Sequence, residues 1–125
     1  MMSTIVVFSS CHESLEDRAA REAAEYTRKY CPTPVVNNTR TDSVVFNKQS
    51  KTYTYYCSFT DKFDDVKVIQ ANSKSITEGL LSAIKDNPGI KIYKEAGFSF
   101  QYIVHSAQAP GKVLYQHNFT SKEYQ

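Results

Sequence analysis

Apolar residues recur at helical spacing in two stretches of the chain and alternate at strand spacing in the others. Leu15, Ala19, Ala23, Tyr26 and Tyr30 follow one another by four, four, three and four positions, which lines one face of a helix over 14–31. Ser14 is placed to cap that helix, Glu16 and Asp17 fall in its first turn, where the helix dipole favours acids, and Pro32 and Pro34 end it. The other face carries Arg18, Arg21, Glu22, Glu25, Arg28 and Lys29, whose mixed signs read as a solvated surface. A strand over 41–46 then leads into the polar turn Asn47-Lys48-Gln49-Ser50-Lys51. From Thr52 to Thr60 the chain alternates: Tyr53, Tyr55, Cys57 and Phe59 point one way, Thr52, Thr54, Tyr56 and Ser58 the other. This predicts a hairpin with one strongly apolar face. Asp61–Asp65 reads as a charged connector and Val66–Ile69 as a short extended piece.

The second half repeats the order. Ser75-Ile76-Thr77-Glu78 has the spacing of a capping box, with Ile76, Leu80, Leu81 and Ile84 as the buried face and Asn87-Pro88-Gly89 as the stop. Residues 90–96 read as a further helical turn closed by Gly97. Phe98, Phe100, Tyr102 and Val104 share one face of a strand over 98–106. Ala109-Pro110-Gly111 turns the chain into a last strand over 112–119, and the polar tail 120–125 is expected to fray. The predicted fold is α+β in the order α-β-β-α-β-β. Its antiparallel sheet of about four strands is packed on one face by two helices. The two halves do not match residue for residue to any convincing degree, so the repeat is one of architecture.

Composition narrows the function. The chain has 125 residues, room for one domain, and 15 basic against 13 acidic residues give a formal charge of +2. That balance lacks the basic stripe a phosphate-tracking protein needs, so no nucleic acid is expected as partner. Nine Tyr and seven Phe without a Trp point to aromatic packing in the sheet. No apolar run approaches the roughly 20 residues of a membrane-spanning helix.

The first residues speak to location. Met1–Ser10 carry no charge and end in an apolar run and two small residues before Cys11. Phe8-Ser9-Ser10-Cys11 resembles a bacterial lipobox, in which the cysteine thiol takes the lipid. The basic segment and longer apolar run of a signal peptide are missing, so residues 1–11 read as a truncated lipoprotein-type signal whose true start lies upstream. Residues 12–125 are then a single α+β domain. The competing reading is a cytoplasmic protein with a short first strand, Thr4–Phe8. With Cys11 lipidated, Cys31 and Cys57 remain as an even pair, either a disulfide of an oxidising compartment or two buried thiols.

Candidate chemistry is sparse. No CxxC, G-x-S-x-G, P-loop or dinucleotide fingerprint occurs, so no cofactor is expected. His105 and His117 are predicted to share a face about 13 Å apart, too far for one metal, and no metal site is expected. Asp61, Asp64 and Asp65 lack the alternation and glycine of a calcium loop. Arg40 and Asp42 share a face of the entering strand and can pair with each other or clamp a ligand carboxylate. Tyr56 points away from the other tyrosines of its strand and is the best candidate for a stacking platform for sugars or bases.

Cys31-Pro32, Thr39-Arg40-Thr41-Asp42-Ser43, Tyr53, Tyr55 and Tyr56, Leu80-Leu81 to Ile84, Ala96-Gly97 and Tyr102 together resemble a family of small exported bacterial α/β domains of uncharacterised function. The likeness covers about residues 20–118. It implies export and the fold, and supplies no catalytic residue. One departure is Asn87-Pro88, where that family often carries a cysteine. The reading that results is a non-enzymatic, lipid-anchored envelope domain that binds a protein, peptide or glycan, with Arg40, Asp42 and Tyr56 as candidate binding residues. The alternatives are a small periplasmic hydrolase-type enzyme and a cytosolic adaptor.

Overall fold

The structure, a computed structural model, describes residues 13–125. The lipobox-like segment ending at Cys11 and the alternative strand Thr4–Phe8 lie outside the described residues. Helix α1 spans Leu15–Tyr30. The Ser14 hydroxyl accepts the Asp17 N–H at 3.0 Å, and Arg28 and Lys29 occupy the last turn, complementing the dipole at both ends. Ala19 and Ala23 are buried, and their small side chains let the helix lie close against the sheet. Tyr53 reaches up to donate its hydroxyl to the Ala19 carbonyl at 3.1 Å.

Strand β1 (Thr39–Asn47) and strand β2 (Thr52–Phe59) form the predicted hairpin, paired antiparallel from Thr39↔Phe59 to Asn47↔Thr52. The Asn47 side-chain oxygen accepts the N–H groups of Gln49 and Ser50, and Lys51 takes the left-handed conformation that closes the turn. The outer edge of β1 is covered. Thr27 on α1 uses its hydroxyl both to donate to the Val44 carbonyl at 2.9 Å and to accept the Val44 N–H at 2.8 Å, and Thr33, beyond a cis Cys31–Pro32 peptide, bonds Thr41. These contacts occupy backbone groups that would otherwise template pairing with another chain.

The sheet is not wholly antiparallel. Its order is β1-β2-β3-β4, with β2 and β3 (Ser99–Ser106) parallel and β3 and β4 (Val113–Phe119) antiparallel. The cause is helix α2, which spans Val66–Asp86 and begins nine residues before the expected capping box. Asp65 is the true cap: its carboxylate accepts the N–H of Lys67 at 2.8 Å and of Val68 at 3.3 Å. Val66–Ile69, whose β-branched side chains favour an extended reading, form its first turn, and Ile69 is buried in register with Ile76, Leu80 and Ile84. At 21 residues, about 31 Å, α2 carries the chain back along the whole sheet, so β3 starts beside the start of β2 and must run parallel to it.

Two further helices join α1 and α2, where a cover of two was expected. A 3-10 turn at Pro88–Ile90 leads into α3, Lys91–Glu95. Gly97, at φ +80°, closes it: the Phe98 N–H reaches the Tyr93 carbonyl, the Gly97 N–H reaches Lys94, and the Tyr93 and Phe98 rings stack at 5.6 Å. The tail is a helical turn rather than a frayed end. Helix α4 (Ser121–Tyr124) starts with a capping box between Thr120 and Glu123, and the buried Tyr124 donates to the Phe98 carbonyl at 2.6 Å. The described order is therefore α-β-β-α-α-β-β-α.

A β-bulge between Val104 and His105 shifts the pairing by one residue and puts His117 opposite Tyr102. That slip separates the two strand histidines. His117 joins the helix-covered face, over Phe119 at 4.3 Å, while His105 stacks on Tyr56 on the other face. The core lies wholly on the helix-covered side, where Phe98, Phe100, Phe119 and Tyr93 are essentially solvent-free.

Candidate functional site

Helix α1 lies over β1 and α2 reaches toward β4, and the two make next to no contact with each other. A groove is left between them, and its floor is β2 and β3. Its larger part is a cleft of about 480 Å³ walled by Ile69, Ile76 and Leu80 of α2, floored by Cys57, Tyr102 and Val104, and closed at one end by Phe59 and Phe63. Asn72 and Ser75 add polar groups from α2, and Thr39 from β1. A second cavity of about 390 Å³, bounded by Tyr26 of α1, Tyr53, Tyr55 and Tyr93, shares Tyr102 with the first.

The groove follows from side-chain choice. At Gly79 an added Cβ would meet nothing within 4 Å, so the glycine leaves open a space that any larger residue would enter. Tyr55 and Tyr102 stack at 4.7 Å between the two cavities. Burial pushes the Tyr102 hydroxyl up to about 12 and raises Tyr55 as well, so both remain protonated donors at neutral pH. Neither hydroxyl has a side-chain or backbone partner among the described residues. On the α1 side, Tyr26 is 42% and Tyr30 60% exposed, with their rings 5.2 Å apart, and Val36, which bridges to Thr39, is 64% exposed. Beside the second cavity, burial alone would raise the Glu22 carboxyl, but hydrogen bonds from Tyr93 and Arg18 outweigh it and hold the group below its ordinary value.

The groove is chemically quiet. Burial pushes the Cys57 thiol up to about 11, which suppresses the nucleophilic thiolate, and the thiol donates to the Thr41 hydroxyl at 4.0 Å. Cys31 and Cys57 are both free thiols in this structure. Cys57 pairs with Thr41, whose other side bonds Thr33, two residues beyond Cys31. Among the described residues no group of three His, Cys, Asp or Glu side chains could hold a metal ion.

Arg40, Asp42 and Tyr56 lie on the opposite, helix-free face of the sheet. Arg40 Nε donates to Asp42 Oδ1 at 2.7 Å, Arg40 Nη2 donates to Ser58 Oγ at 3.1 Å, and Ser58 Oγ donates to Asp42 Oδ2 at 2.5 Å. Each member of this ring satisfies the others. Tyr56 stands two residues from Ser58 on the same face, and neither Arg40 nor Asp42 opens into the groove.

A family model matches residues 14–115. The chain belongs to the family described as Domain of unknown function DUF8479. Among solved structures, this DUF8479 domain is similar to a chain from Pseudomonas aeruginosa assigned as a secreted protein, with a TM-score of 0.69 at 11% identity over 91% of this chain and all of that one. It is also similar to the type 2 secretion system pilotin EpsS of Vibrio vulnificus, with a TM-score of 0.60 at 13% identity, covering 89% of this chain and 92% of that one. The type II secretion system pilotin AspS of Vibrio cholerae gives 0.62 at 13% identity, covering 87% and 91%. At these identities the likeness is one of fold. None of the curated proteins matches the chain.

Sequence reasoning assigned Tyr55 and Tyr102 of DUF8479 to core packing and did not place Tyr26, Asn72 or Gly79 at a site. A signal was available in the α2 segment. The polar run Gln70–Ser75 interrupts an otherwise apolar face, and Gly79 sits mid-helix, where glycine costs about 1 kcal/mol relative to alanine.

Proposed function

We propose that this DUF8479 domain is a non-enzymatic domain of the bacterial envelope that holds a protein partner by seating an amphipathic helix in the groove between α1 and α2. The observation that carries the reading is the apolar cleft of about 480 Å³ with its polar rim of Asn72, Ser75 and Thr39. It has the size of a specific binding pocket, and the apolar wall of α2 over a floor of Cys57, Tyr102 and Val104 suits apolar anchors spaced along one helix face. The paired tyrosine hydroxyls on the floor offer donors for a polar group between those anchors. The shared fold with two pilotins and with a chain assigned as secreted supports an exported location, as does the small-residue run ahead of Cys11. On this reading Cys11 carries the lipid and tethers residues 12–125 to a membrane. A hydrolase would need Arg40, Asp42 and a histidine to converge in a cleft, and the cleft contains none of them.

The test is a photo-crosslinking residue at Ser75, with the exposed Arg28 of α1, which lines neither the groove nor any other cavity, as control, in cells that make the protein. The expected result is one envelope protein crosslinked from position 75 alone, through a segment with helical apolar periodicity. A peptide of that segment should bind the purified domain, and Gly79→Phe should weaken it about tenfold or more without lowering the melting temperature. Equal crosslinking from both positions, or full affinity in Gly79→Phe, overturns the groove. Metabolic labelling with a fatty-acid probe tests the anchor separately: label lost in Cys11→Ala supports it, and an unlabelled wild-type protein removes it while the groove stands.

A further inference from the structure

The helix-free face of the sheet carries a second site. A shallow trough of about 380 Å³ crosses it, lined chiefly by Val45, Asn47, Thr54, Tyr56, Gln101 and Asn118, and no residue that lines it is charged. Four of these side chains form one straight row, since Val45 pairs with Thr54, Thr54 with Gln101, and Gln101 with Asn118. The row spans four strands, about 14 Å. Its hydrogen-bonding capacity is turned outward. Thr54 Oγ1 donates to Gln101 Oε1 at 3.2 Å, which leaves the Gln101 amide nitrogen free. Asn47 Oδ1 is taken up by the N–H groups of Gln49 and Ser50, which leaves its amide nitrogen free. Asn118 is exposed and makes no side-chain hydrogen bond among the described residues. Two apolar surfaces lie among these amides: Val45, 49% exposed, and the Tyr56 ring, steadied by its stack on His105.

Nearby charge is drawn away from the trough. Lys48 and Lys51, in the adjoining turn, pair with Asp17 at 3.0 Å and Glu16 at 3.5 Å on α1, and Arg40 is held by Asp42. An anionic ligand would therefore meet no free cation in the trough, and a cationic one no free carboxylate. A ligand complementary to it is uncharged, rich in hydroxyls and amides, has an apolar ring face, and is longer than one ring. We infer that this face binds a neutral oligosaccharide, with Tyr56 and Val45 under the sugar ring and the amides of Asn47, Gln101 and Asn118 on its hydroxyls. The site is independent of the groove, because alternate residues of the same strands build the two.

The test is a titration of the isotope-labelled domain with two neutral trisaccharides, chitotriose and maltotriose, followed by nitrogen–proton correlation spectra that include the side-chain amides. The expected result is saturable shifts of the Asn47, Gln101 and Asn118 side-chain amides with at least one probe. Tyr56→Ala should weaken that binding about tenfold or more, in the range of a lost stacking contact, and Tyr56→Phe should retain it. Asn118→Ala, at an exposed position, should weaken binding a few-fold and covers the case in which Tyr56→Ala does not fold. Gly79→Phe should leave the shifts unchanged. Still amides with both probes, shifts confined to groove residues, or unaltered binding in Asn118→Ala together with Tyr56→Ala would overturn the inference.

Discussion

The two faces of this sheet are made by neighbouring residues of the same strands, yet they differ in kind. On β2, Tyr53, Cys57 and Phe59 are buried beneath helices, while Thr52, Thr54 and Ser58 are buried on the face that no helix covers. The first set is shielded by an apolar layer, the second only by longer neighbours such as Tyr56 and Gln101. Low exposure thus describes two environments: on the helix side apolar surface is removed from water, and on the open side short hydroxyls sit between side chains that remain wet. The helix side is also the incomplete one. It lacks contact between α1 and α2, and the space left there is the groove. The lesson is that an unfilled core and a filled surface can belong to one sheet, and that each offers a different ligand chemistry.

That contrast can be broken at four points. The largest effect is expected from Phe100→Ala, at a fully buried position, which should cost about 3–5 kcal/mol in urea unfolding. Tyr56→Ala on the open face should cost about 1 kcal/mol or less, and equal losses would show that the two faces share one packing role. Next, Asp42→Ala removes the hub of the Arg40–Asp42–Ser58 ring, and a loss of about 1–2 kcal/mol is expected. A double-mutant cycle with Ser58→Ala should reveal strong coupling between the two, whereas additive losses would reduce the ring to independent contacts.

A smaller effect of opposite sign is expected at Gly79. Replacement by alanine in the helix should raise stability by about 0.4–1 kcal/mol, since the added methyl meets no atom. A loss instead would mean that the groove is closed in solution. The smallest effect concerns pH. The hydrogen bond from His117 holds the Glu123 carboxyl below its ordinary range. Because the folded-state value is the lower one, this stabilisation is present above the unfolded pKa and is lost as pH falls through the folded pKa. Glu123→Gln should therefore flatten the acid limb of stability, read by amide exchange in α4. An unchanged acid limb would exclude the pair from anchoring α4.

Much of the fold was legible in local pattern. Ser14 and the four-residue apolar spacing of α1, the alternation of Tyr53 to Phe59, and Gly97 as a helix stop each depend on neighbours within a few residues. The errors share a cause. Val66–Ile69 carry strand-type side chains but lie behind an Asp65 cap, and Ser75-Ile76-Thr77-Glu78 has capping spacing in the middle of a helix. Local preference was outvoted by burial of Ile69 against the sheet. His117 was misplaced because a single bulged residue reverses every face beyond it.

The chain by itself determined which residues of each strand face together and where α1 starts and stops. Those properties are periodic or short-range, and so are written in neighbouring residues. Only the tertiary structure decided that β2 and β3 run parallel, that α1 and α2 stand apart over an aromatic floor, and that Val45, Thr54, Gln101 and Asn118 fall in one row. Each of these depends on where a long helix returns the chain and on registers between strands far apart in sequence, and pairing over such distances is set by the packing of the whole core rather than by any single segment.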